Sequence, residues 1–246
     1  MTLRSRVLRT GAMTAAGLCL GTSAIASPAG AVAKTPTLAS LLAAATAQAT
    51  HAGSVRVSVK FVSNGQTGDV VLDSAADAGR EALTYGNQVV GIMLVKGIVY
   101  ITGNSQGLTS YFGVPAARAT ALSGRWISFA PSDKGYQTFA GELELPAVLR
   151  SVTPTGTLVR EKNARLSGQP AIPIAGKGPA GEARGVLFVA SKGATLPVEA
   201  VISDGSGKSA RGEIVKFSRW GEKVDPVVPA GAISVAALKA QSPAAG

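Results

Sequence analysis

The sequence predicts an α+β fold, one large antiparallel sheet covered on one face by a few helices. Three observations lead there. Apolar and polar residues alternate in consecutive short runs joined by turn dipeptides, as hairpins require. Helical spacing is confined to three patches. The composition is 46% hydrophobic and only 15% charged, which suits a chain with a buried core and not a disordered one.

The first segment reads as an export signal. Arg4, Arg6 and Arg9 precede an uncharged run from Thr10 to Ala26, and Ser27-Pro28-Ala29-Gly30-Ala31-Val32-Ala33 follows. Positive charge, apolar run, helix breaker and small residues come in the order of a cleaved signal. Cleavage is expected after Ala33, because Pro28 and Gly30 end the apolar helix shortly before it; Ala26 closes the other small-x-small site. The run is short for a membrane span and rich in Ala and Gly. Cys19 follows Leu18, where a lipidation site needs a small residue, and it lies inside the apolar run. It reads as an ordinary apolar residue. Removal of residues 1–33 takes three arginines and no acid, so the net charge falls from +10 to +7 over 213 residues. What remains has no cysteine, which fits a bacterial envelope or medium and excludes a disulfide scaffold.

A single domain is expected over 34–240, with a disordered tail over 241–246. Thr37 caps a helix over 38–50, whose Leu38, Leu41, Leu42 and Ala45 share one face before Gly53. Val55, Val57, Val59 and Phe61 then alternate with Arg56, Ser58 and Lys60. Asn64-Gly65 turns the chain into a strand holding Val70 and Leu72. A third strand covers 80–85, Gly86-Asn87 turns into 89–95, and Lys96-Gly97 turns into 98–102. A second helix is expected over 114–123, opened by Pro115 and closed by Gly124, and a third near 134–150, with Pro146 breaking or restarting it. The Gly-rich 176–185 reads as a flexible hairpin loop. Strands resume at 186–190, 196–202 and 210–219, with a turn at 204–207. Consecutive hairpins build an antiparallel sheet, and its covers are the helices at 38–50 and 114–150.

Most catalytic chemistries lack their parts. Ser206-Gly207-Lys208-Ser209 ends like a phosphate-binding loop, but Ile202 stands where its first glycine belongs and no helix follows. His51 is the single imidazole, placed at a helix end, where it favours the C-terminal dipole; no Gly-x-Ser-x-Gly elbow accompanies it. Glu142 and Glu144 are two apart on a helix and point away from each other. One His and one Cys cannot build a zinc site of the usual kind. No enzyme activity, cofactor or metal is expected. The basic residues are scattered, and only Arg160, Lys162 and Arg165 crowd together, so no nucleic-acid partner is expected. An anionic membrane surface or wall polymer fits the charge better.

The order of elements resembles the LppX/LprG-type cell-envelope lipoproteins, whose fold is like that of the LolA/LolB carriers. The likeness rests on Gly124-x-Trp126, Leu196-Pro197 and Trp220-Gly221-x-x-Val224, and spans roughly 37–233. It implies a curved antiparallel half-barrel around helices, with acyl chains held between them. It also implies that Trp126 marks the strand after a helical lid and Trp220-Gly221 a strand end. The relatives carry a lipidated Cys where this chain has Ala33 or Ala26, so a freely secreted or loosely held version is expected.

The reading is therefore a secreted or envelope-associated binding protein that shelters a lipid or other apolar ligand. The expected cavity residues are Val57, Val59, Phe61, Ile92, Leu94, Val99 and Ile101 on the sheet. Phe139, Leu143 and Leu149 face them from the helices, Tyr111 and Phe112 form a mobile rim, and Trp126 completes the set. The alternative is a solid-core module that meets a wall polymer or partner protein through a basic sheet face or the 160–165 cluster.

Overall fold

The computed structural model describes residues 36–63, 65–179, 182–204 and 211–240. The signal segment, the 205–210 turn with its Ser206–Ser209 motif, Asn64 and the 241–246 tail lie outside them. Helix α1 (Leu38–Ala52) opens the fold and leads into five strands joined by hairpins: β1 (Ser54–Ser63), β2 (Gln66–Ala75), β3 (Gly79–Tyr85), β4 (Gln88–Val95) and β5 (Ile98–Gly103). Helices α2 (Ser105–Phe112) and α3 (Ala116–Leu122) follow, then β6 (Ile127–Phe129), α4 (Tyr136–Leu143) and α5 (Leu145–Val152). The second half holds β7 (Thr155–Arg160), β8 (Ala164–Leu166), β9 (Gln169–Lys177), β10 (Arg184–Ala190), β11 (Pro197–Asp204) and β12 (Arg211–Ser218). It closes with β13 (Ile233–Ser234) and α6 (Val235–Ala240).

All thirteen strands belong to one open, curved sheet, in the order β13-β6-β5-β4-β3-β2-β1-β12-β11-β10-β9-β7, with β8 paired to β9. Every pairing is antiparallel except β13 with β6. The two hairpin blocks join where β1 meets β12, so strands distant in sequence become central neighbours. The expected half-barrel architecture is present.

One face of this sheet is apolar because the strands alternate. Val55, Val57 and Phe61 of β1 are buried, and Leu72, Val70, Val215 and Phe217 stand on the same face in the neighbouring ladders. Helix α4 lies against β2 to β5, α5 against β10 and β11, and α1 against β1, β7 and β11. Thr37 Oγ1 accepts the Ser40 N–H at 3.1 Å and caps α1, while Gly53 ends it at φ 76°. Ala45 and Ala49 let α1 approach the core closely, since both are fully buried.

Four sequence expectations need correction. The 114–123 helix is present as α3, but a further helix, α2, precedes it and was not expected. Asn104 Oδ1 caps α2 by accepting the Gly107 N–H at 2.8 Å, and Gly113 closes it at φ 70°. The 134–150 helix is two. It breaks at Glu144, whose backbone is extended and bridges to Ala75, and restarts at Pro146, which lies in the first turn of α5, where its missing N–H costs nothing. The expected 176–185 loop is entered later and left earlier, because β9 continues to Lys177 and β10 begins at Arg184. Finally, β7, β8, the extent of β9, β13 and α6 were not foreseen, and β6 was implied only by the resemblance.

Candidate functional site: the concave face and its rim

The concave face brings together nearly all the residues singled out from the sequence. Val57, Phe61, Ile92, Leu94, Val99, Ile101, Phe139, Leu143 and Leu149 are buried in one continuous apolar cluster, and Val59, Tyr111 and Phe112 pack half-buried against it. The ladders explain the grouping. Ile92 stands opposite Ile101 and Leu94 opposite Val99, while β1 contributes Val57, Val59 and Phe61 by alternation.

Val59 differs from its neighbours. Val57 and Phe61 on either side are buried, and so are Val70 and Val215 opposite, yet Val59 is only partly buried. Val59 is thus less covered than its neighbours on the concave face. Tyr85, also partly buried, lies toward the β1–β2 turn, where its ring stacks on Phe61 at 5.5 Å and its hydroxyl donates to Ser63 O at 2.7 Å. The Phe61 ring lies over Gly68, where any Cβ would overlap it at 2.2 Å.

The rim is aromatic. Tyr111 and Phe112 meet edge to face at 5.3 Å, Phe112 meets Phe139 at 5.5 Å, and Phe139 meets Phe129 at 5.1 Å. The chain of rings joins the last turn of α2 to α4 and β6. Tyr111 and Phe112, expected as a mobile rim before the Pro115 helix, thus sit on a capped helix. Tyr111 Oη donates a long hydrogen bond, 3.5 Å, to Glu81 Oε1. Glu81 was not foreseen, although the sequence carried the signal: it shares period-2 phase with Leu83, and the ladder sets it opposite Leu72 and Ile92 on the inner face. Glu213 is a second unforeseen acid on this face, opposite Phe61 and Ile202.

Trp126 is the exception. It immediately precedes β6, whose Ile127 pairs with the inward Ile101, so Trp126 turns outward. Its ring approaches Gly91, where an added Cβ would stand 3.6 Å from the indole and 2.9 Å from Thr102 Cγ2. The indole covers a glycine on the outer face and is not part of the inner set. As landmarks both tryptophans fit the expectation: Trp126 follows the α2–α3 pair, and Trp220 follows the end of β12.

The remaining candidates are dispersed. His51 is exposed in the last turn of α1. Glu142 lies on α4, while Glu144 occupies the break after it. Arg160 and Arg165 lie on β7 and β8, bonded to Asn163 and to Gly168 O respectively, with exposed Lys162 between them. Among the described residues no three His, Cys, Asp or Glu side chains gather as a metal site, and no helix is long and apolar enough to cross a membrane.

No protein-family model and no curated protein matches the chain. Solved structures of similar fold do. LprF from Mycobacterium bovis is 14% identical, with 78% of this chain and 96% of that one covered and a TM-score of 0.48. An uncharacterized conserved protein from Thermus thermophilus is also 14% identical, covering 79% and 96% with a TM-score of 0.44. MucB in complex with MucA(peri) is 15% identical, covering 76% and 56% with a TM-score of 0.37. Each of these likenesses stands at 14–15% identity and a TM-score below 0.5.

Proposed function

We propose that the protein is an exported, non-enzymatic carrier that shelters an acyl chain or similar apolar ligand against its concave face. The partly exposed Val59, set among buried neighbours on the aliphatic concave face, is the observation that carries this reading. Alkyl burial there contributes about 0.8 kcal/mol per methylene, so a chain of several methylenes binds without any polar contact. The ring chain from Tyr111 to Phe129 forms a firm edge at which the ligand enters. The N-terminal signal pattern supports an envelope or extracellular setting, where acyl ligands are abundant.

Fluorescent fatty-acid uptake by the purified chain tests the proposal. Saturable uptake, displaced by unlabelled lipid, supports it. A chain that takes up no probe points instead to the solid-core interaction module.

A further inference from the structure

The outer face of the sheet holds a second feature that the carrier reading does not use. Arg56 of β1, Asp73 of β2 and Arg80 of β3 stand directly opposite one another across three strands. Arg56 Nε and Nη2 donate to Asp73 Oδ1 and Oδ2 at 2.6 and 2.8 Å, and Arg80 Nε donates to Oδ2 at 2.7 Å. The Asp73 side chain is 11% exposed and that of Arg80 58%. One buried carboxylate therefore fixes two guanidiniums and neutralises only one.

A turn after β12 forms the opposite wall. Arg219 has φ 54°, in the left-handed region that residues with a Cβ seldom adopt. The turn is anchored on both sides. Gly221 N–H donates to Ser54 O at 3.0 Å, Ser54 Oγ donates to Glu222 O at 2.7 Å, and Trp220 Nε1 donates to Pro197 O at 3.2 Å. The surrounding contacts thus hold Arg219 where its own preference does not.

Between these walls lies a pocket of about 210 Å³, lined by Arg56, Asp73, Arg80, Arg219, Glu222 and Lys223, with Asp225 beside them. Lys223 Nζ is matched by Asp225 at 2.6 Å, whereas Arg219 comes no closer than 3.8 Å to Glu222. The lining carries four cations and three anions. Among the described residues Arg80 bonds Asp73 through Nε alone, which leaves its Nη groups as donors on a residue that lines the pocket. Planar guanidinium forks of this kind match tetrahedral oxyanions.

We propose that this outer pocket binds a phosphate group through Arg80 and Arg219, with Arg56 and Asp73 positioning Arg80. The phosphate is either a free ion or part of a lipid headgroup. Calorimetric titration with inorganic phosphate tests the first source. Co-sedimentation with phosphatidylglycerol vesicles, against phosphatidylcholine vesicles at matched ionic strength, tests the second. Saturable binding is expected in at least one arm, weakened about tenfold or more in R80Q and in R219Q. K60Q, on the same face outside the pocket, is expected to bind as the parent does. R80K keeps the charge without the fork, gives an intermediate affinity, and serves if R80Q fails to fold. Absence of binding in both arms, or equal binding by the parent, R80Q and R219Q, overturns the proposal, as does an equal loss in K60Q. Fatty-acid uptake is expected to be unchanged in R80Q and R219Q, so failure here is distinct from failure of the carrier reading.

Discussion

Ser74 Oγ donates a 2.6 Å hydrogen bond to the backbone carbonyl of Leu143, joining the inner face of β2 to the last residue of α4. The neighbouring Ala75–Glu144 bridge continues the seam, and Gly79 lies close enough that an added Cβ would stand 2.9 Å from Leu143 Cβ. The break between α4 and α5 is therefore a docking joint, made where the sheet accepts backbone from the helical layer.

Ser74→Ala should destabilise the protein by about 1–3 kcal/mol, because it leaves a buried carbonyl without its donor. Urea unfolding measures this. An unchanged midpoint would remove the joint from the account.

Stability should depend on pH through Asp73. The Arg56 hydrogen bond holds its carboxyl below the ordinary carboxylate range against desolvation, and Arg80 adds to the effect. A depressed folded-state pKa stabilises the protein above the unfolded-state value, near 3.9, and that contribution is lost as pH falls through the folded-state value. The stability gap between the parent and Asp73→Asn should thus be widest near neutrality and narrow below about pH 4. Thermal unfolding across pH reads the gap; one that is constant or widens on acidification contradicts the assignment.

Trp126→Ala should lower stability while leaving fatty-acid uptake at the parent level, since the indole covers Gly91 on the outer face. A loss of uptake in a folded variant would return Trp126 to the ligand site.

Phe112→Ala should weaken uptake. It removes ring contacts to both Tyr111 and Phe139, each worth about 0.5–1.5 kcal/mol beyond area burial, and so loosens the rim. Unfolding midpoints for the same variant separate a loosened rim from a lost fold.

The hairpin strands were legible because β1 alternates through Phe61 and turn dipeptides follow at each end. The strands between 155 and 177 were not, for two physical reasons. β7 is a terminal strand exposed along nearly its whole length, so no buried residues mark its period. β9 contains Pro170 and Pro173, which argue against a strand until its neighbours are known. Pro173 lies where the partner of β9 changes from β8 to β7, and its carbonyl still accepts from Glu161 N–H. Helix α2 was hidden by its glycine, serines and threonine. It is held by the Asn104 cap and the fully buried Leu108, with Gly107 so close to β4 that a Cβ would meet Val89 O at 2.3 Å. The inner aliphatic set followed from alternation in β1 and from the apolar run over 89–95, with its inward face supplied by the resemblance. Trp126 did not, because its face depends on the pairing of a three-residue strand, and the Arg56–Asp73–Arg80 row depends on the register of two hairpins.

The most direct test is organic extraction of the purified chain and of Val59→Asp, followed by lipid mass spectrometry. The account predicts acyl-bearing species in the parent. Val59→Asp, folded but with a charge at this partly exposed position, should lose about tenfold or more of them, equivalent to roughly two methylenes of contact. A parent chain that is free of lipid, and that also fails to take up a fluorescent fatty acid, would contradict it.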